Sequence, residues 1–339
     1  MNFRECMHSG RDILMEGALG ERLKREYGLK IDGIVAMASL VYTQEGREAL
    51  RALWSGYADI ARRYDLPFLA TTPTRRANQE RIAQSEFTEA IFRDNVEFLK
   101  QLQKNSGIEM YVGGLMGCKG DAYTGEGALS EEEACNFHRW TAEHFRDAGV
   151  DFLYAGIMPA LPEAAGLAQA IDDTGIPYII SFTIQKDGKL IDGTTIADAI
   201  RYIDDRTENK PVCYMANCVH PSIVRQALSH PFNALPIVRE RFRGIQANTS
   251  PLSYAELDHA EQLHCSEPEE LAQEMMKLGQ TENIQIWGGC CGTDDRHMER
   301  IAQQLKKKHC DMIKRQGSIP CLFFVLKEDF STLFPPGVL

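Results

Sequence analysis

Residues 283–308 read NIQIWGGCCGTDDRHMERIAQQLKKK and contain a short apolar run, a turn rich in glycine and cysteine, and a charged segment. The run at 283–287 is almost continuously apolar, which is typical of a strand buried on both faces of a parallel sheet. Residues 294–308 are predicted to form the helix that follows it. The stretch is therefore interpreted as one β-then-α unit, with its glycines and cysteines at the carboxyl end of the strand.

The same succession of apolar run and helical segment recurs along the chain. The predicted strands lie at 12–16, 67–71, 109–114, 151–155, 177–182, 211–216, 242–247 and 283–287. The predicted helices lie at 44–64, 85–104, 130–147, 162–174, 194–205, 221–229, 267–279 and 294–308. Eight such units without a long structureless stretch predict an α/β fold, a single (β/α)8 TIM barrel over residues 1–309. A doubly wound open sheet is the competing architecture.

Residues 310–339 do not fit the repeat. They include the apolar run CLFFVL at 321–326 and end in a Pro-Pro-Gly segment. Because an exposed apolar segment of this kind favours aggregation, we predict a C-terminal extension that packs on the barrel or on a partner subunit. The second arrangement would make the protein a homo-oligomer.

Composition excludes several classes of partner. The chain has 37 basic and 48 acidic residues, a net charge of −11, and no block rich in lysine and arginine. Nucleic acid is therefore not expected as a partner, because phosphate binding needs clustered positive charge. The N-terminus lacks the apolar core of a signal peptide, and no apolar run is long enough to span a bilayer. We predict a cytoplasmic protein with no membrane partner, whose ten cysteines are reduced or bind metal.

Three cysteines fall where a barrel forms its functional site, at the carboxyl ends of its strands. Cys218 follows the sixth predicted strand, and Cys290 and Cys291 follow the eighth. Gly289 and Gly292 flank the pair and allow backbone turns that a side chain would forbid, so that two adjacent sulfurs can face one ion. Cys218 is the natural third ligand, because the loops after both strands meet at one mouth of a closed barrel.

Three protein thiolates leave the fourth tetrahedral position of Zn²⁺ open, which is the mark of a catalytic zinc site. The alternative is that these cysteines are small buried apolar residues. Cys118, also at a strand end, is left unassigned, and the other six cysteines are interpreted as core or surface thiols. A substrate thiol bound at the open position would lose its proton and could attack a methyl carbon. The cysteines therefore predict a methyltransferase that uses a small-molecule thiol and a small-molecule methyl donor.

Several motifs make the chain resemble a known family. They are ILMEGALGERL at 13–23, TTPTRRAN at 71–78, DAYTG at 121–125, PYIISFT at 177–183, KDGKLIDGTT at 186–195, ANCVHP at 216–221 and WGGCCGTDDRHM at 287–298. Over roughly residues 11–305 the chain resembles the homocysteine S-methyltransferase family, which includes betaine–homocysteine methyltransferase and the homocysteine-binding module of methionine synthase. The resemblance implies a zinc-bearing barrel with Cys218, Cys290 and Cys291 as ligands. It also implies acceptor contacts from Glu16 and Gly17.

Two positions depart from the family pattern. Gly156 stands where the family usually has a glutamate that helps to hold the amino group of homocysteine, and Glu21 replaces a small residue. Either Glu16 or Glu21 takes over the ammonium, or the acceptor is a different thiol. Thr72, Asn217 and Asn248 lie at other strand ends and are predicted to orient substrate.

The sequence thus predicts a zinc-dependent S-methyltransferase. Its donor is predicted to be small, betaine- or sulfonium-like, because no folate or cobalamin module is evident, and its first acceptor is homocysteine, giving methionine. One alternative keeps the zinc–thiolate chemistry for another thiol or for quaternary-amine demethylation. The other is a catalytically silent zinc-binding barrel that serves as a subunit.

Overall fold

Eight parallel strands form a closed barrel in chain order in the computed structural model, which describes residues 1–252 and 266–315. Strands β1–β8 are Ile13–Met15, Phe68–Thr71, Met110–Gly117, Phe152–Met158, Tyr178–Phe182, Cys213–Val219, Phe242–Ala247 and Ile286–Gly289. The first strand pairs with the last, Ile13 opposite Ile286 and Leu14 opposite Trp287. This pairing confirms the barrel and excludes the open sheet.

Helices cover the outside of the barrel and fill the connections. Helices α1–α12 are Phe3–His8, Gly20–Arg25, Gln44–Tyr64, Gln79–Ala83, Ala90–Ser106, Glu131–Ala148, Leu161–Asp172, Ile196–Asp204, Pro221–Ser229, Pro236–Arg241, Pro268–Thr281 and Asp295–Arg315, and a 3₁₀ helix spans Ala36–Tyr42. Helix α6 begins with a capping box formed by Ser130 and Glu133. None of the helices in the described ranges is both long and apolar enough to cross a bilayer.

Four strands reach further toward the carboxyl mouth than the sequence predicts. Strand β3 continues to Gly117, β4 to Met158, β6 to Val219 and β8 to Gly289. The added residues include glycines and Asn217, which interrupt the apolar runs in the sequence. In the closed barrel each strand has a hydrogen-bonding neighbour on both sides, so backbone pairing extends these strands whatever the side chains are.

Helix α12 runs to Arg315 and so continues past the boundary predicted at 309. The rest of the predicted extension, 316–339, lies outside the described residues. Its packing on the barrel or on a partner subunit therefore stays a prediction.

The amino end of the barrel is closed by helix α1. The ring of Phe3 lies among the side chains that fill the barrel interior and stacks on Phe152 with ring centroids 4.4 Å apart. Gln285, at the start of β8, donates a hydrogen bond to the carbonyl of Met7. Because side chains fill the amino end of the barrel, small molecules reach the strand ends from the carboxyl mouth.

We expect Phe3→Ala to destabilise the protein by about 3 kcal/mol, because it removes a ring that is 2% exposed and leaves a cavity at the amino end. Urea unfolding followed by circular dichroism measures the change. The matched control is Phe232→Ala, whose ring is 36% exposed and should cost far less. Equal losses in the two variants would contradict the role assigned to helix α1.

Candidate metal centre

The sulfurs of Cys218, Cys290 and Cys291 lie together at the carboxyl mouth, all within 4.8 Å of one another. Cys218 comes from the end of β6, whereas the other two follow β8. This donor set fits a soft divalent metal, since thiolate sulfur is the ligand that such ions prefer. The structure therefore brings together the three cysteines that the sequence singles out.

Cys218 and Cys290 are joined as a disulfide in this structure, with Cα atoms 5.3 Å apart. The sequence predicts reduced cysteines, so this pair differs from the prediction. The convergence that allows three sulfurs to face one ion also brings two of them close enough to bond. Reduction of the pair is required before all three sulfurs can bind a metal.

A bulge in β6 aims Cys218 toward the mouth. The register with β7 shifts between Asn217 and Val219, and Cys218 has a φ of 54°, in the left-handed region that residues other than glycine seldom adopt. Strand β4 has a second bulge, in which Ile157 has a φ of 59°. The side-chain oxygen of Asn217 accepts a hydrogen bond from the Ile157 amide at 3.1 Å and so ties the two bulges together.

Backbone contacts to both neighbouring strands hold the loop after β8. The Cys290 amide donates to the Ala247 carbonyl at 2.7 Å, and the Gly289 amide donates to the Glu16 carbonyl at 3.0 Å. Gly292 has a φ of 82°, and a Cβ atom there would overlap the hydroxyl of Thr249. The glycine is therefore required by both conformation and space.

Glu21 belongs to this loop's support. Its carboxylate accepts a hydrogen bond from the Gly292 amide at 2.8 Å and forms an ion pair with Arg25. In the sequence Glu21 is one of two candidates for binding an acceptor ammonium. In the structure its carboxylate is hydrogen-bonded to the backbone of the cysteine loop and supports that loop.

Glu16 is buried, with 3% of its surface exposed, and its carboxylate is engaged by the protein. It accepts hydrogen bonds from the Trp54 indole at 3.0 Å and the Thr71 amide at 2.8 Å, and a third from the Thr71 hydroxyl. Burial raises the pKa of Glu16 to about 7, although the three donors favour its charged form. Gly17 packs against Tyr57, whose ring leaves no space for a Cβ atom.

The other predicted substrate residues are also buried and hydrogen-bonded. The hydroxyl of Thr72 meets that of Thr74 at 2.7 Å and accepts from the Leu115 amide at 3.1 Å. Asn217 ties the bulges, as described, and the side chain of Asn248 accepts from the Ser250 amide at 3.0 Å. In the described structure these residues shape the mouth, and their contact with a substrate stays a prediction.

Leu115 lies where a side chain at position 156 would project. A Cβ atom on Gly156 would come within 2.8 Å of the Leu115 Cδ1 atom. The space beside position 156 is thus filled by an apolar side chain of the neighbouring strand β3. This part of the mouth is therefore apolar, and position 156 carries no charge.

A cavity of about 360 Å³ opens beside Cys218. Its walls include Ile184 from the loop after β5, Ile223 from helix α9 and Leu252 from the loop after β7. Tyr123 of the β3 loop also lines it. Tyr123 therefore contributes an aromatic ring to the wall of this cavity. Phe182, the last residue of β5, is fully buried and stacks on Tyr214.

A buried glutamate and its histidine partner anchor the β3 loop, which carries Tyr123. Glu163, fully buried on α7, accepts hydrogen bonds from the Lys119 amide at 2.7 Å and contacts His138 Nε2 at 3.1 Å. Sequence reasoning missed this residue. The available signal was a single charged residue within the largely apolar stretch 160–171.

Comparison with known proteins agrees with this geometry. The family model described as homocysteine S-methyltransferase matches residues 13–305. A homocysteine S-methyltransferase of Bacillus subtilis, YbgG, is 25% identical over 189 residues, 54% of this chain and 56% of that protein. The chain thus aligns with little more than half of that curated relative.

Solved structures of the homocysteine methyltransferase MmuM from Escherichia coli share the fold. The metallated form superposes with a TM-score of 0.70 at 19% identity, covering 88% of this chain and 98% of that one. The oxidised form gives 0.69 at 20% identity, with 86% and 96% covered. These similarities establish the fold.

We expect Gly292→Ala to remove metal binding, because the added methyl group would displace Thr249 and twist the cysteine loop. Metal content after reconstitution under reducing conditions measures the effect. Gly107→Ala is the control, since Gly107 also has a positive φ, 66°, but nothing lies within 4 Å of its Cβ position. The control should lose only the roughly 1 kcal/mol of backbone strain and keep its metal. Full metal content in Gly292→Ala would refute the loop geometry.

Because of Glu16, we expect the free energy of unfolding to fall as the pH rises from about 4.5 to about 7. Its pKa rises from 4.5 to about 7 on folding, so the folded state keeps a proton that the unfolded state releases in this interval. The penalty is absent below the interval and complete above it, at about 3 kcal/mol. Glu16→Gln lacks this titration, and unfolding free energies of both proteins from pH 4 to pH 8 measure the difference. Parallel curves of unfolding free energy against pH would show that folding does not shift the pKa of the Glu16 carboxyl group.

Proposed function

The chain belongs to the homocysteine S-methyltransferase family, and from that premise we propose that it is a zinc-dependent S-methyltransferase. It transfers a methyl group from a small betaine- or sulfonium-like donor to a thiol, with homocysteine, which would give methionine, as the first acceptor to test. The observation that carries this proposal is the convergence of three cysteine sulfurs beside a substrate-sized cavity. A cytoplasmic location and homo-oligomer formation remain predictions.

Cys218, Cys290 and Cys291 would hold the metal. When bound there, Zn²⁺ supplies Lewis acidity that lowers the pKa of a thiol to below neutral pH. Burial and the nearby Glu21 raise the pKa of the Cys291 thiol, so the reduced, metal-free protein keeps this thiol protonated at neutral pH. Metal binding must therefore release at least this proton.

The chain's own part is to orient the two substrates and keep water away. The walls formed by Ile184, Ile223 and Leu252 suit a methyl group and its donor, because apolar surface excludes water from the reacting atoms. The buried Glu163 holds the loop that places Tyr123 over the same cavity. Rigid placement of both walls lowers the entropic part of the barrier.

A different thiol is the second candidate for the acceptor. Gly156 carries no carboxylate, Leu115 fills the adjacent space, and the carboxylate of Glu16 is engaged by Trp54 and Thr71. Among the residues that the structure describes, neither position 156 nor Glu16 therefore offers an ammonium group a free carboxylate beside β4. This favours a thiol that lacks the amino group, and the test includes such compounds.

Each of Cys218→Ser, Cys290→Ser and Cys291→Ser should lose zinc and methyl transfer together. The reduced, zinc-loaded protein should bind about one equivalent of zinc and release about one proton when a substrate thiol is added. Zinc content, proton release and mass spectrometry of the products, with homocysteine and other thiols against methylated donors, measure these quantities. Cys135→Ser is the control, because Cys135 lies on helix α6, outside the cluster.

The outcomes separate the alternatives. Methylation of homocysteine supports the first acceptor, and methylation only of thiols without an amino group supports the second. Zinc binding with no proton release on addition of any thiol would support the alternative of a catalytically silent zinc-binding barrel. Failure of the reduced wild-type protein to bind zinc would overturn the proposal.

A further inference from the structure

A second cavity, of about 260 Å³, lies between the loops that follow β2 and β3. Arg75, Arg76 and Arg81 line it, together with Lys119. The first two arginines belong to the TTPTRRAN motif, and Arg81 lies on the short helix α4 that follows. Four cationic side chains thus surround one small space at the mouth of a chain whose net charge is −11.

Acidic side chains do not neutralise the three arginines. Lys119 forms an ion pair with Glu80 at 2.8 Å, but within the described ranges no carboxylate lies within ion-pair distance of Arg75, Arg76 or Arg81. Burial and the neighbouring charges of Arg75 and Arg81 lower the pKa of Arg76. Such a cluster repels itself, and an anion bound among the guanidinium groups would relieve that repulsion.

Asp121 is the acidic residue of the cavity, and its charge attracts Arg76 without coming within ion-pair distance. One of its oxygens accepts hydrogen bonds from the amides of Tyr123 and Thr124, both at 2.8 Å, and so closes the turn of the β3 loop. A single carboxylate also leaves an excess of positive charge. The described side chains therefore leave this cavity with a net positive charge.

The arginine loop is held in place. The Thr74 hydroxyl donates to the Leu115 carbonyl at 2.8 Å, and the Ala77 amide closes a turn onto the Thr74 carbonyl at 2.8 Å. Arg75 packs its side chain on Gly117, where a Cβ atom would come within 2.7 Å of the arginine Cγ atom. The guanidinium groups thus emerge from a fixed backbone, as a binding site requires.

This cavity adjoins the cysteine cluster. Tyr123 lines both cavities, and Cys118 lines the arginine-rich one while packing against the apolar residues around Cys218. A molecule with its anionic end among the arginines can therefore extend toward the sulfurs.

We propose that Arg75, Arg76 and Arg81 bind a strongly anionic group, a phosphate, a sulfonate or paired carboxylates, of one of the two substrates. The inference rests on the proposed function for the identity of the reaction, and it adds the charge class of a substrate. Arginine suits this task, because its planar donors match the oxygens of such groups and its charge is permanent. The anionic group belongs either to the thiol or to the methyl donor.

Direct anion binding is the first test. Sulfate and glutarate are titrated into the reduced, zinc-loaded protein by calorimetry, with chloride at the same ionic strength as the reference. Arg75→Gln and Arg76→Gln should each weaken sulfate binding about tenfold, and Arg75→Lys and Arg76→Lys should recover part of the loss. Arg81 also donates to the Ile34 carbonyl, so its variants are secondary. Arg146→Gln, remote on α6, is the control and should bind sulfate like the wild type.

Steady-state kinetics identifies which substrate carries the anionic group. In Arg75→Gln and Arg76→Gln the KM of that substrate should rise about tenfold or more, whereas kcat and the KM of the other substrate change little. Added sulfate should compete with the same substrate in the wild type. If only the KM for the thiol rises, the anionic group belongs to the acceptor. If only the KM for the methylated compound rises, the group belongs to the donor.

The results distinguish this site from the reaction itself. Sulfate binding that depends on the arginines supports the site even if no methyl transfer is found, because zinc content and thiol-proton release test the reaction separately. Equal sulfate affinity in the wild type and the glutamine variants, with both KM values unchanged, overturns the inference. Circular dichroism confirms that each variant is folded.

Discussion

Closure of the barrel through the pairing of β1 with β8 is the constraint on which the rest of the structure depends. It places the loop after β8 between two neighbours, so that the amides of Gly289 and Cys290 donate to backbone carbonyls of β1 and β7. The cysteine pair is thereby fixed from both sides. An open sheet would leave this loop with one neighbour and its sulfurs without a defined direction.

Unfavourable backbone geometry is concentrated at the same mouth. Cys218 and Ile157 adopt left-handed conformations at two bulges, and Gly292 turns where any side chain would overlap Thr249. Such conformations persist only when surrounding contacts enforce them. Asn217 supplies one such contact and Glu21 another, each through a hydrogen bond to a backbone amide.

The mouth divides into regions of different chemistry. Sulfur donors occupy its centre, apolar walls form the cavity beside Cys218, and arginines line the cavity beyond Tyr123. Gly156 carries no charge, and Leu115 fills the space beside it, so β4 presents no carboxylate at this position. From this feature and the arginine-lined cavity we infer a substrate with an anionic group.

The sequence alone determined the barrel and its cysteines. Apolar runs alternating with helical segments report local burial and periodicity, and Cys-Cys between glycines is visible without knowledge of distant contacts. Tertiary structure decided the ends of several strands, because backbone pairing in a closed barrel carries β3, β6 and β8 past their predicted ends, through Gly117, Asn217 and Gly288. It also decided that Glu16, Thr72 and Asn217 are engaged by neighbouring strands and that Arg75, Arg76 and Arg81 share one cavity. These contacts could not be predicted because hydrogen bonds and charge interactions act between residues that are close in space. Only the folded barrel decides which residues distant in sequence become close.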